Sequence, residues 1–230
     1  MTIAENIARI RANMAAAARE AGRDPKEILL VGASKMNDAA ACREAVAAGI
    51  DALGENRVQE MVQKLEQHAY DGAPLHFIGH LQRNKVKQVV GHVALIQSVG
   101  SLELLDEIEK VAAARGLVQD ILLEVNIGRE AAKSGFAPEK VLPAAEAALE
   151  RTHVRVRGLM TIPPADAQRD ANFRYFQEVQ ALYVDMNQKL FHNELEYLSM
   201  GMSGDYEDAI RAGATMVRVD SAIFGARHYN

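Results

Sequence analysis

The 230-residue sequence has a single cysteine, Cys42, and no tryptophan. One cysteine excludes an internal disulfide and a cysteine-rich metal site, and it predicts a protein of the reducing cytoplasm. No apolar run approaches the roughly 18 residues that span a membrane, so no membrane partner is expected. The 26 basic side chains are outnumbered by 31 acidic ones, for a net charge of −5. This balance gives no basic excess for binding nucleic acid.

The composition itself is that of an ordinary globular protein, with 49% hydrophobic and 25% charged residues. These proportions exclude a disordered or fibrous protein. No segment rich in proline, glycine or serine interrupts the chain as a linker would. We therefore expect a single domain over residues 1–230.

The hydrophobic pattern alternates between helix and strand along the chain. The first helix carries Ile3, Ile7, Ile10 and Met14 on one face, and the helix stops at Gly22. Apolar runs typical of strands buried on both faces then alternate with amphipathic helices. The predicted strands are 28–33, 51–56, 75–79, 94–99, 121–126, 154–161, 197–201 and 216–219. Eight such units predict a single (β/α)₈ TIM barrel with an extra N-terminal helix. Such a barrel is complete in one chain, which predicts a monomer; an open doubly wound sheet is the alternative fold.

Polar residues directly after the strands are the candidate site residues, because a TIM barrel binds its ligands at the carboxyl ends of its strands. Lys35 follows the most apolar strand and would carry its amine into the mouth of the barrel. A partly desolvated lysine can lose its proton and form a Schiff base with a carbonyl group. The alternative is that Lys35 pairs with a carboxylate such as Glu55 or extends into solvent.

Two loops near the end of the sequence have the composition of an anion site. The segment 199–206 offers the hydroxyl of Ser203, flexible glycines including Gly204, and the N–H groups of a helix start. Ser221 lies in the loop after the eighth strand, and TIM barrels often bind phosphate between these two loops. The alternative is that Ser203 or Asp205 caps the following helix.

Arg218 lies within the apolar eighth strand, where an unpaired guanidinium would be costly. A carboxylate such as Glu124 could be its partner, and so could the ring nitrogen of a heteroaromatic ligand. His76 and His80 have no supporting cluster of acidic or cysteine residues, so no metal site is expected.

Several sequence blocks, taken together and in this order, resemble the pyridoxal-phosphate homeostasis family. They are 30–35 (LVGASK), 54–60 (GENRVQE), 76–85 (HFIGHLQRNK), 133–136 (KSGF), 158–162 (GLMTI), 198–203 (LSMGMS) and 222–227 (AIFGAR). The resemblance runs through nearly the whole chain.

The resemblance implies a barrel similar to the N-terminal domain of alanine racemase. It also implies that pyridoxal 5′-phosphate is held as an aldimine on Lys35, with Arg218 facing the pyridine nitrogen. Asn56 and Met160 would line the cofactor pocket. Ser203 and the backbone near Gly204 and Ser221 would hold the phosphate.

These implied roles favour a carrier over a catalyst. An arginine facing the ring nitrogen disfavours its protonation, which makes the ring a poorer electron sink. Racemisation also needs a second base, which alanine racemases take from a second domain. We therefore expect a protein of intracellular vitamin B6 and amino-acid homeostasis without catalytic turnover, with pyridoxal-phosphate-dependent apo-enzymes as recipients of the cofactor. The alternative is a single-domain amino-acid racemase or lyase that uses the same cofactor.

Two positions depart from the pattern of the family. Members usually carry glycine where this chain has Asp220, and a carboxylate there repels a dianionic phosphate unless it turns away. Members often have threonine where this chain has Met36, a change that alters the polarity of the pocket without removing the Schiff base. Asp220 motivates a third hypothesis, a regulatory protein whose pocket has lost the cofactor and which acts through protein partners.

Overall fold

The computed structural model describes residues 1–164 and 169–225. In this part of the chain, eight parallel strands close into a barrel in sequence order. The strands are β1 Leu29–Ala33, β2 Ala52–Glu55, β3 Leu75–Phe77, β4 Leu95–Val99, β5 Gln119–Val125, β6 Val154–Thr161, β7 Tyr197–Ser199 and β8 Met216–Val219. The TIM barrel is confirmed. The open-sheet alternative is wrong, because β1 pairs with β8 as well as with β2.

Helices alternate with the strands along the chain. The described α-helices are α1 Ile3–Glu20, α2 Ala39–Ala47, α3 Val58–Glu66, α4 Leu102–Arg115, α5 Val141–Leu149, α6 Arg169–Leu190, α7 Tyr206–Arg211 and α8 Ser221–Phe224. The prediction of a loop directly after β8 is wrong, because the N–H groups of Ile223 and Phe224 bond to the carbonyl of Asp220 and start α8. None of the helices in the described ranges is long and apolar enough to cross a lipid bilayer.

The expected extra helix, α1, precedes the barrel and packs against its last elements. Its start is fixed by a capping box, in which the Thr2 hydroxyl accepts from the Glu5 N–H and the Glu5 carboxylate accepts from the Thr2 N–H. The helix buries Ile7 and Ile10 and contacts α2, α7 and α8. The side chain of Asn6 donates to the Ile223 carbonyl at 2.9 Å, so α1 holds the segment that follows β8.

Buried residues fall into two apolar clusters, because successive strand residues point to opposite sides of the sheet. The large cluster combines outward strand residues with the helices, as Leu30, Phe77 and Phe176 do. The small cluster contains Val31, Ala52, Leu95, Leu122, Met160 and Met216, which are contributed by six different strands. Their alternation with the outward residues places this small cluster inside the barrel.

A chain of hydrogen bonds links polar side chains of β8, β7, β4 and β3 inside the barrel. Arg218 donates to the Ser199 hydroxyl at 2.6 Å, and Ser199 donates to Gln97 Oε1 at 2.6 Å. The amide nitrogen of Gln97 lies 3.0 Å from His76 Nδ1. All four side chains are buried.

The direction of these bonds fixes the charge of His76. Gln97 accepts from Ser199 through its oxygen, so its NH₂ group must donate to His76 Nδ1, which therefore carries no proton. Burial lowers the pKa of His76 to about 4. The histidine is therefore neutral in the folded protein at neutral pH, and its role here is structural.

We predict that His76 makes the protein less stable as the pH falls from about 6.5 to about 4. The unfolded chain takes up the proton first in this range, because the pKa of His76 is lower in the folded state. The free energy of unfolding should fall by about 3 kcal/mol more in the wild type than in His76→Gln, which keeps an acceptor but does not titrate. Urea unfolding of both proteins across this range measures the difference. Parallel pH profiles would contradict the prediction.

Candidate functional site

Lys35 follows β1 at the carboxyl end of the barrel, where the sequence placed it. Its Nζ lies 3.5 Å from Asp220 Oδ2, and about a third of its side chain is exposed. The alternative of a carboxylate partner is therefore confirmed, but the partner is Asp220 and not Glu55, which is fully buried and takes its hydrogen bonds from other side chains. Lys35 is therefore partly exposed, with its amine paired to the segment that follows β8.

Glu55 belongs to a buried charge cluster beneath Lys35. Its Oε1 accepts from Lys64 Nζ at 2.6 Å, from the Ser34 hydroxyl at 2.6 Å and from the Tyr70 hydroxyl at 3.0 Å. Burial by itself lowers the pKa of Lys64. The attraction of Glu55 and the hydrogen bonds to it outweigh that effect and raise this pKa. The cluster is thus a buried ion pair with neutral donors around it.

This cluster also fixes the backbone on both sides of Lys35. Lys64 Nζ donates to the Ser34 carbonyl at 2.7 Å and to Glu60 Oε1 at 2.7 Å. Glu60 Oε1 in turn accepts from the N–H of Met36, whose φ of +62° is uncommon for a residue with a side chain. Sequence reasoning missed Lys64, although it lies three residues after buried Met61 on the apolar face of its helix.

Arg218 is 3% exposed, and its partners differ from the predicted carboxylate. It donates to the Ser199 hydroxyl at 2.6 Å and to the Thr161 carbonyl at 2.9 Å. Glu124 instead accepts from the Ser134 hydroxyl and acts on Arg218 only through its charge. Burial lowers the pKa of Arg218 to about 10, so the guanidinium remains charged at neutral pH.

The two predicted anion loops are in direct contact. The N–H of Asp220 donates to the Ser203 hydroxyl at 3.1 Å, which joins the segment after β7 to the segment after β8. Ser221 is exposed at the start of α8, and Gly204 is exposed in the other loop. A methyl group added at Gly204 would meet no atom within 4 Å, so this loop borders open space.

The alternative of simple helix capping is wrong for α7. Asp205 precedes this helix but makes no side-chain bond to its N–H groups. Its carboxylate accepts from the Met202 N–H at 2.7 Å and from the Asn172 side chain at 3.2 Å. The Ser203 hydroxyl is engaged by Asp220 instead.

The remaining expected cofactor contacts differ in accessibility. Asn56 follows β2, and its Oδ1 is buried without a hydrogen-bond partner among the described residues. Met160 is fully buried in the inner apolar cluster of the barrel. The motif 222–227 extends past Gly225, and its last two positions lie outside the described residues.

Comparison with known proteins identifies relatives of the same length. The model of the alanine racemase N-terminal domain family matches residues 6–228. The pyridoxal phosphate homeostasis protein of Pseudomonas aeruginosa is 42% identical over 99% of this chain and 97% of that protein. The protein of the same name from Aquifex aeolicus is 41% identical over the full length of both chains.

A solved structure extends this likeness to three dimensions. PipY of Synechococcus elongatus, determined with pyridoxal phosphate bound, superposes with a TM-score of 0.85 and 31% sequence identity. The match covers 97% of this chain and all of the PipY chain. The chain therefore belongs to the pyridoxal phosphate homeostasis protein family and carries the alanine racemase N-terminal domain.

Proposed function

We propose that this protein binds pyridoxal 5′-phosphate through Lys35 and takes part in intracellular vitamin B6 and amino-acid homeostasis without catalytic turnover. The observation that carries the proposal is the convergence of three groups at one end of the barrel. These are a partly exposed lysine, the joined segments after β7 and β8, the first of which borders open space at Gly204, and a buried guanidinium. The PLP-bound structure of PipY supports the same assignment.

The residues present fit this cofactor. When bound, pyridoxal phosphate supplies an aldehyde that condenses with an amine to a Schiff base, with loss of water. Lys35 offers that amine, and Asn56 Oδ1 is a buried acceptor that has no protein partner among the described residues. Arg218 uses two N–H groups on Ser199 and Thr161, whereas a guanidinium carries five. An N–H that faces a ring nitrogen can donate a hydrogen bond to it only when the pyridine is unprotonated.

The phosphate would lie where the two loops meet. In this proposal Ser203, the backbone near Gly204, and Ser221 bind it. Met160 closes the pocket from the inner side of the barrel, since it is fully buried between β5 and β7. Hydroxyl and backbone N–H donors are the groups that proteins use for phosphate.

The charge state of Arg218 argues for a carrier. Its pKa of about 10 keeps the guanidinium protonated at neutral pH. It can therefore donate a hydrogen bond to a ring nitrogen but does not readily transfer its proton to that nitrogen. An unprotonated ring is a poor sink for the electrons of a carbanion.

We propose accordingly that the protein stores the cofactor in the cytoplasm as a monomer. Its recipients in this proposal are pyridoxal-phosphate-dependent apo-enzymes.

Asp220 places a negative charge at this site. Its carboxylate oxygen lies 3.5 Å from the Lys35 amine, and its N–H is the group that bonds to Ser203. The carboxylate is thus directed at the lysine. We infer that Asp220 weakens cofactor binding by charge without preventing it.

Replacing Lys35 by alanine should abolish the Schiff-base absorbance band that pyridoxal phosphate gives with the wild type, because the amine is lost. Lys87→Ala, which removes an exposed lysine elsewhere, should leave the band unchanged. Absorbance titration of the three proteins measures this. A band that survives in Lys35→Ala, or one absent from the wild type at saturating cofactor, would contradict the proposal.

Replacing Asp220 by asparagine should tighten pyridoxal phosphate binding roughly threefold, because a negative charge beside the lysine and the phosphate is removed while the backbone N–H is kept. The same titration gives the dissociation constant, and Asp71→Asn is the control for an exposed carboxylate far along the chain. An unchanged or weaker affinity in Asp220→Asn would show that the carboxylate does not oppose the cofactor.

The loaded protein, incubated with amino acids in deuterium oxide, should not introduce deuterium at the α-carbon faster than free pyridoxal phosphate does. The reason is that an unprotonated ring stabilises the carbanion poorly. Proton NMR of the recovered amino acids measures the exchange. Fast exchange that disappears in Lys35→Ala would establish the racemase or lyase alternative instead.

A further inference from the structure

A cavity of about 660 Å³ lies beside the cofactor end of the barrel. Its walls are the segment after β3, the end of β4 with the start of α4, and the loop between β5 and α5. The described residues that line it include none of the expected cofactor contacts. A volume of this size is typical of sites for small molecules.

One wall of the cavity is built to receive an anion. Ser101 caps α4, a helix of 14 residues, and its hydroxyl accepts from the Leu104 N–H at 3.2 Å. The first N–H groups of a helix have no partner within it, and they carry the positive end of its dipole. Ser101, Glu103 and Leu104 all line the cavity, so this helix end borders it.

A second observation in the same wall points to a ligand. Ser98 is only 4% exposed, and its hydroxyl has no hydrogen-bond partner among the described residues. A buried hydroxyl left unpaired costs about 1–3 kcal/mol, so such groups are uncommon unless something else bonds to them. Ser98 precedes the cap residue Ser101 by three positions and lines the same cavity.

The charged residues around the cavity are of both signs. Arg83 and His80 are exposed on one side, and Lys133 lies on the β5–α5 loop with its Nζ 2.6 Å from Glu130. Glu103, in the first turn of α4, is an acidic residue of the lining.

A further carboxylate lies directly behind the cavity. A Cβ placed on the lining residue Gly100 would lie only 3.2 Å from Glu124 Oε2. A ligand with one positive and one negative group matches this distribution better than a simple anion.

We propose that this cavity binds a free α-amino acid with an apolar side chain. Its carboxylate would lie at Ser98, the α4 start and Arg83, and its ammonium group beside Glu103. The apolar residues of the lining are Leu81 and Leu104, both buried in the wall, and the ligand's side chain would pack against them. The proposal does not rest on cofactor binding, because the lining residues are different ones.

The test uses three probes with one side chain: L-leucine, its keto acid that lacks the ammonium group, and 3-methylbutylamine that lacks the carboxylate. Calorimetric titrations are made with cofactor-free wild type and with Lys35→Ala, so that reaction of the amine with pyridoxal phosphate cannot contribute. L-Leucine should bind both proteins equally and at least tenfold more tightly than either analogue. Failure of the cofactor proposal leaves this result unaffected.

Two variants locate the binding. Ser98→Ala should lower the affinity for L-leucine about tenfold while leaving the urea midpoint unchanged or raised, since an unpaired hydroxyl is removed. Arg83→Ala should weaken binding. Lys87→Ala should not, because Lys87 is an exposed cation of the same 3-10 helix, Arg83–Gln88, but lies outside the cavity.

Three results would overturn the proposal. They are no binding of L-leucine, binding unaffected by Ser98→Ala, and equal binding of the keto acid or of inorganic phosphate, which would mark a simple anion site.

Discussion

The structure is organised around a guanidinium group buried inside the barrel. Moving a charge out of water costs several kcal/mol even in a relaxed protein, so Arg218 must be compensated by nearby acceptors. Ser199 and the Thr161 carbonyl provide that compensation. Because the Ser199 oxygen accepts from Arg218, its own proton must go to Gln97, and the Gln97 amide must then donate to His76. One buried charge on β8 thus sets the protonation of a histidine on β3, across the interior of the barrel.

A second buried charge, the ammonium group of Lys64, organises the structure around Lys35 at the other end of the proposed cofactor site. Lys64 is held by Glu55 and Glu60. Lys64 donates to the Ser34 carbonyl and Glu60 accepts from the Met36 N–H, which fixes the backbone on either side of Lys35. Lys35 itself pairs with Asp220 and remains about a third exposed. The two cations that would contact the cofactor are therefore held in place differently. Neutral acceptors inside the barrel hold the Arg218 side chain, whereas the Lys64–Glu55 ion pair holds the backbone beside Lys35.

Much of this arrangement is readable from the sequence. Strands β6 and β8 have the predicted bounds, because apolar runs between clear turn signals leave little choice. Lys35 and Ser203 are found at strand ends because the topology of a parallel barrel puts every such position at one rim. The contact between the segments after β7 and β8 follows from the same topology, since consecutive strands are neighbours.

The partners of the buried charges could not be predicted in this way. Gln97 and Ser199 are 102 residues apart and meet only because the sheet closes, so local periodicity places each side chain inside without pairing them. Glu124 was the carboxylate that the sequence offered as a partner for Arg218, yet it accepts a hydrogen bond from the Ser134 hydroxyl instead. Glu55 was the example of a carboxylate partner in the alternative interpretation of Lys35, yet Lys64 reaches it from the apolar face of α3, where charge is least expected.

The central claim is that Arg218 faces an unprotonated pyridine ring whose aldehyde is held by Lys35. The most direct measurement is the ¹⁵N chemical shift of ring-labelled pyridoxal phosphate bound to the protein, followed from acid to alkaline pH. The account predicts the shift of an unprotonated nitrogen hydrogen-bonded to a donor, unchanged across neutral pH. The shift of a protonated pyridinium at neutral pH, or a spectrum of free cofactor only, would contradict it.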